Sequence, residues 1–393
     1  MGQKEEKQTV TLGGWYQRTT LHLTEVYDLF SEGTTRLPLE KKKLAVFHKA
    51  LNLRSVTREA GLLDCVHAET RDGIRIRYYE DGLYVLELVS GDVPRASKQL
   101  QSYFQDVFQP AVSYIFSLGA PTPKVLANIE TIHPVVVTTQ TSSPSNYAVD
   151  PRIYGTVYQK ISSGSTTVFK TETHIIIAAK QTSSAQLRDL IELQIFFREF
   201  KDQLAKYLSI HRTIWEKIAE IKERGSMKLK DTQKLRAILE GYNVTIDLIE
   251  SRISQMGSYV STRASIAKET KLEVSLRLLF EYRFEALLDT LAYIKDLWKM
   301  TQDYLTNAIQ VIVEIQNQGT KTGIQSLRAV TTFGVFVTAL NFTWQNANLE
   351  KVTMKSVLIV LIVLGVAWAL DRAIQRLSEQ KEFRLKFKEG AKL

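Results

Sequence analysis

The chain has 393 residues, one cysteine and a formal net charge of +9. That length leads us to expect two or three folding units. The lone Cys65 excludes a disulfide framework and suits a reducing compartment. The positive charge is scattered, with a concentration beside a C-terminal apolar stretch. This argues against a nucleic-acid partner and for contact with anionic lipid headgroups.

Residues 1–182 read as an α/β domain, expected in the cytoplasm. Residues 1–10 have no apolar h-region, so no signal peptide is expected. Residues 65–70, 74–79 and 83–89 are rich in β-formers and are separated by Asp72-Gly73 and Asp81-Gly82, which are strong hairpin turns. Three antiparallel strands are expected there. Helices are expected at 39–52 and 96–118, and strands at 135–139 and 174–179. The Ser/Thr/Pro-rich stretches 142–151 and 162–167 read as loops.

Residues 183–321 read as a helical stalk. Apolar residues from Leu187 to Ile221 keep a 3–4 spacing, Gly225-Ser226 interrupts, and Asp231 is placed to cap a second helix whose face runs from Leu235 to Met256. A third helix is expected from near Lys271. Phe280, Phe284, Leu287, Leu291, Ile294, Trp298, Thr301, Leu305, Ala308, Ile312 and Ile315 alternate steps of four and three. Such a heptad seam argues for coiled-coil packing around a common axis and is expected to bury against copies of the chain. Unbroken from Lys271 to Phe342, this helix would be ~110 Å long.

Two apolar segments follow, at 322–342 and 352–370, close enough to form a transmembrane hairpin. The second contains an uncharged run from Val357 to Leu370, and at ~1.5 Å per residue the segment spans a ~30 Å hydrocarbon core. The first is less apolar, carrying Thr331, Thr332, Thr338 and Asn341 after Arg328. The tail 372–393 is basic, with Arg372, Arg376, Lys381, Arg384, Lys386, Lys388 and Lys392, against Lys351 and Lys355 in the connecting loop. Positive residues stay inside, so both termini are expected in the cytoplasm of a cell with this protein in its inner membrane. Continuing the seam frame forward places Gly319, Thr322, Ser326, Ala329, Phe333, Phe336 and Leu340 on the axis side. Small and polar residues at membrane depth fit either a narrow wet channel or close helix packing without a pore.

An α/β domain, three long helices, and a last helix leading into the first of two spans resemble the CorA family of magnesium channels. Those proteins carry Gly-Met-Asn, usually followed by Phe, at the end of the first span. Here Ala339-Leu340-Asn341-Phe342 stands there, matching the Asn and Phe only. Thr332 matches the family's pore threonine. The resemblance implies a homopentameric funnel in which Ile315, Gly319, Thr322, Ser326, Ala329, Thr332 and Leu340 line the pore. Ala339, Leu340 and Asn341 then form the selectivity motif, with Mg²⁺ or another divalent cation as permeant or regulatory ion. A direct alignment to the family's apolar gate instead offers Gln318 and Lys321. Two other readings stay open: a CorA-like effector opened by a small, nucleotide-type cytoplasmic ligand, and a non-conducting membrane anchor.

Other chemistry is not legible. The histidines at 22, 48, 67, 133, 174 and 211 have no zinc spacing, and there is no GxxxxGK[ST] or GxGxxG loop. No enzyme signature, cofactor site or nucleic-acid motif is expected.

Overall fold

The computed structural model describes residues 8–16, 22–116, 134–180, 184–223 and 226–345, with Gly365, Ala369, Arg372 and 382–384. Between 319 and 345 the backbone is described throughout and the side chains only in part. The chain divides into two compact units. One takes in Met1–Ile210 and Leu248–Asp296, the other His211–Asp247 and Leu297–Leu393.

The first unit is built on a nine-stranded mixed sheet. Its strands are β1 (Gln8–Trp15), β2 (Leu53–Glu59), β3 (Cys65–Thr70), β4 (Arg75–Tyr79), β5 (Leu83–Ser90), β6 (Val135–Gln140), β7 (Gln159–Ser163), β8 (Thr166–Lys170) and β9 (His174–Ala179). Their order across the sheet is β2-β3-β4-β5-β1-β6-β9-β8-β7. The meander expected over 65–89 forms, with Cys65 opposite Tyr79 and Arg75 opposite Glu87. Its second turn needs glycine: Gly82 has φ +90°, and a Cβ there would run into the Tyr16 backbone. β1 lies between β5 and β6, antiparallel to both, and β6 runs parallel to β9.

One face of the sheet is covered by α1 (Leu23–Glu32), α2 (Lys41–Leu51), α3 (Val93–Tyr103) and α4 (Gln109–Phe116), with a π-helical turn at Phe104–Phe108 joining the last two. Asp92 caps α3 by accepting from the Arg95 amide. Leu29, Phe30, Leu44 and Phe108 fill this layer and are fully buried, each stabilising by about 1.5–3 kcal/mol. After α5 (Pro151–Tyr154) come the long helices α6 (Ser184–Glu223), α7 (Leu229–Glu269), α8 (Glu273–Phe280) and α9 (Phe284–Gln345). The start of α6 covers the opposite face, where Trp15 meets Phe196 and Phe200 at 5.8 and 5.5 Å between ring centres. Gly13 permits this approach, since a Cβ there would lie 2.9 Å from the Ile195 methyl.

In the second unit α6, α7 and α9 form a three-helix bundle. His211 Nε2 lies 2.7 Å from Thr301 Oγ1, and the Trp215 and Tyr304 rings are 5.4 Å apart, so α6 and α9 run parallel. Gln302 donates to Asp247 and Gln316 to Thr232, so α7 runs antiparallel to α9. Between α6 and α7 lies β10 (Ser226–Lys228), which pairs with β11 (Glu382–Arg384).

The α/β domain followed by long helices is therefore present, with several corrections. The heptad seam does not wait for copies of the chain. In the first unit Phe284 packs on Phe197 and Leu291 lies near Gly257; in the second Trp298 packs on His211. Every residue of the seam from Phe280 to Ile315 is buried by the chain's own helices. The third helix is also broken. Glu281 adopts φ 62° and ends α8, and Tyr282 then stacks on Phe197 at 4.0 Å. Residues 162–167, expected as a loop, belong to the β7–β8 hairpin, turned at Gly164 with φ 57°. Asp231 lies inside the first turn of α7, not at its cap.

Among the described residues no helix is long and apolar enough to cross a membrane. The expected first span, 322–342, lies on α9, where Arg328, four threonines and Asn341 dilute its apolar character. Thr338 returns its hydroxyl to the Gly334 carbonyl at 2.7 Å, satisfying a polar group within the helix. The second, 352–370, lies outside the described residues except Gly365 and Ala369, which are helical.

Candidate functional site

The sheet unit contains a polar cleft of about 500 Å³, bordered by β1, β4, β5, β6 and the first turns of α6. Strand alternation puts Arg75 and Arg77 on one face of β4, with Ile76 between them pointing into the apolar layer. Glu87 stands directly opposite Arg75 on β5. Ser184, Leu187, Arg188 and Ile191 share one face of α6 at helical spacing and close the other side. Thr9, Thr138, Thr139 and Gln140 complete the wall.

The charges are held in a chain. Glu87 accepts from Arg75 Nη2 at 3.0 Å and from Arg77 Nη2 at 3.1 Å. Arg77 Nε donates to Glu192 at 2.6 Å, and the Tyr79 hydroxyl donates to the other Glu192 oxygen at 2.5 Å. Burial works against the Arg77 charge, but Glu192 and Glu87 outweigh it and hold the guanidinium above its ordinary value. Burial and then Glu192 raise the Tyr79 hydroxyl and push the Cys65 thiol up to about 12. Cys65 is thus a protonated core side chain.

Arg188 differs from Arg77. Its side chain is 47% exposed, and its Nε is 3.8 Å from Asp189, too far for a hydrogen bond. Arg75 is 50% exposed and has one carboxylate partner. Three guanidinium groups therefore border the cleft against one carboxylate, and two of them keep donors facing water. A second buried pair supports the wall from behind. Arg263 on α7 donates to both Asp81 oxygens at 2.7 and 2.9 Å and lies over the Tyr79 ring. Burial opposes the Arg263 charge, and Asp81 more than restores it.

The site residues expected from the sequence lie elsewhere. Ile315 is buried in the helical bundle. Gly319, Thr322, Ser326, Ala329, Thr332, Ala339, Leu340 and Asn341 all lie on α9, but their side chains are outside those described. Lys321 is in the same position, whereas Gln318 is exposed. Among the described residues no group of three or more His, Cys, Asp or Glu side chains is placed to hold a metal ion. The cleft was not anticipated. Its residues come from five elements, and the one local signal was Arg75-Ile76-Arg77, two cations at the inward spacing of a strand.

No protein-family model matches the chain, and no curated protein matches it.

Proposed function

We propose that this chain is the subunit of a homopentameric, CorA-like membrane channel that conducts cations and is gated by its cytoplasmic sheet unit. The observation that carries this reading is the course of the chain around the tip of the α6–α7 hairpin. α9 is held beside that tip by the Gln316–Thr232 hydrogen bond. It then continues as helix to Gln345, about 43 Å further at ~1.5 Å per residue. That reach covers a ~30 Å hydrocarbon core with its interfaces. By Glu382 the chain is back at the same tip, in β11. The uncharged run 357–370 lies on the return path. An excursion of that length, out as helix and back through an apolar run, supports a membrane hairpin with the basic tail on the side of the bundle.

The burial of the seam changes which face of α9 meets the axis. The face turned away from α6 and α7 is the one left for neighbouring copies. Glu314 and Gln318 are exposed on it, and positions 321 and 332 follow at the same helical spacing. This supports Gln318, Lys321 and Thr332 as the pore frame, in place of Ile315, Gly319, Thr322, Ser326 and Ala329. Ala339, Leu340 and Asn341 stand at the outer mouth in either frame.

Flux of monovalent and divalent cations into liposomes tests the reading. Wild-type protein should pass cations, Lys321→Glu should raise the preference for divalent over monovalent ions, and Ser326→Leu should leave flux largely intact. A block by Ser326→Leu with no effect of Lys321→Glu would restore the seam frame. A monomer by light scattering, with no flux, would leave only a membrane anchor. Within the channel class, the arginine-bordered cleft favours opening by a small cytoplasmic ligand over gating by bound divalent ions.

A further inference from the structure

We infer that the cleft between the sheet and the start of α6 is a binding site for a small, soluble, phosphate-bearing molecule of mononucleotide size. The size follows from the cavity. About 500 Å³ falls within the range of small-molecule sites, and it is several times the volume of a bare inorganic anion. The preference for an anion follows from Arg75 and Arg188, which are half in water and keep donors turned to the cleft, whereas Arg77 is already held by Glu87 and Glu192.

The arrangement suits phosphate for three reasons. Guanidinium groups are planar forks that meet phosphate oxygens two at a time, and these come from two different elements, β4 and α6. Arg77 is locked between Glu87 and Glu192, so it is preorganised and loses little freedom on binding. Arg75 and Arg188 are half in water with donors to spare. The first-turn amides of α6 at Ser184 add N–H groups that have no partner within the helix. Beyond the charged rim, the wall carries the Thr9 and Thr138 hydroxyls and the Gln140 amide. These can hydrogen-bond the uncharged remainder of a ligand, which a bare phosphate would not use.

A purely structural ion network would hold every arginine on a carboxylate by hydrogen bonds, as Arg263 is held on Asp81. Arg188 has no such clamp, and it still borders the cavity. Binding is a property of the sheet unit and stands whether or not the assembly conducts.

The test uses the full-length protein in detergent and isothermal titration calorimetry with AMP, inorganic pyrophosphate and citrate. AMP and pyrophosphate should bind, and citrate should bind at least tenfold more weakly. Arg75→Gln/Arg188→Gln removes two charge-assisted hydrogen bonds, each worth about tenfold, and should weaken AMP about a hundredfold. Arg54→Gln, which breaks an exposed ion pair with Glu69 away from the cleft, should leave the affinity unchanged. If the double variant does not fold, Arg188→Gln alone should weaken AMP about tenfold, since its side chain supports no buried pair. Absence of AMP and pyrophosphate binding at millimolar concentration would overturn the assignment. So would equal affinity in the arginine variants, or citrate bound as tightly as pyrophosphate. AMP binding without ion flux in liposomes would remove the channel reading and leave this one intact.

Discussion

The two units solve the problem of a buried interface with different chemistry. In the sheet unit, α6 and α7 meet the strands through ion pairs: Arg77 with Glu192, and Arg263 with Asp81. In the helical unit the interior is a periodic apolar seam, with Leu305, Ala308, Ile312 and Ile315 buried in succession. Its polar links between helices, such as His211 with Thr301 and Gln316 with Thr232, are single hydrogen bonds and not ion pairs. Apolar packing tolerates small shifts, whereas a bidentate ion pair is satisfied in one geometry only. The sheet unit is thus the more exactingly positioned of the two, which suits a site whose arginines must converge.

The contrast can be broken most severely at Arg263. Arg263→Ala strands Asp81 at zero exposure, and such an uncompensated buried charge costs about 3–5 kcal/mol. Denaturant unfolding read by hydrogen exchange should show the loss first in the β4–β5 amides. Arg263→Met paired with Asp81→Leu should recover part of it, because both charges go together and only the Leu83 amide loses its Asp81 acceptor.

The helical unit should respond to volume instead. Leu305→Ala opens a cavity at a fully buried position and should cost about 2–5 kcal/mol, with Leu305→Met losing much less. A Leu305→Ala protein as stable as the wild type would mean that the seam is not packed within the chain.

The smallest effect is set by acidity. Burial depresses the His211 pKa below its ordinary value of 6.5, with a hydrogen bond donated by the ring to the Leu297 backbone carbonyl opposing. The unfolded chain therefore takes up this proton first as pH falls. Stability is whole above about 6.5 and declines as pH drops from there through the lower folded-state value. His211→Gln should flatten that part of the pH–stability curve. A steeper decline in the variant would contradict the assignment.

Much of the sheet unit was legible where turns carried glycine. Asp72-Gly73 and Asp81-Gly82 delimited β3 to β5 to within a residue or two. β1 was not anticipated: Thr9–Leu12 is a short run of β-formers cut off by Gly13-Gly14, and pairing with β5 and β6 on both sides extends it into an eight-residue strand. The β7–β8 hairpin was hidden by its serine and threonine content, although threonine is itself a good strand former. The heptad seam was found residue by residue, yet periodicity says that a face is buried and not whose helix buries it. The break at Glu281 has no glycine or proline to announce it; a tertiary ring stack at Tyr282 accompanies it. The arginine cleft was the least visible, since Arg75, Glu87 and Arg188 are joined only by the fold.

β1 also governs the order in which the sheet can assemble. The strands on either side of it form two groups, β2 to β5 and β6 to β9, whose members pair mostly with close neighbours in sequence. Each group can nucleate alone. β1 joins them, and its partners on β6 lie far along the chain, with Thr9 opposite Thr138. Such distant closure is the slow step of a folding reaction. Until it occurs, β5 and β6 present open edges that invite pairing with other chains. A fusion or deletion that delays β1 should therefore show itself as aggregation during refolding, before any change in the finished protein is seen.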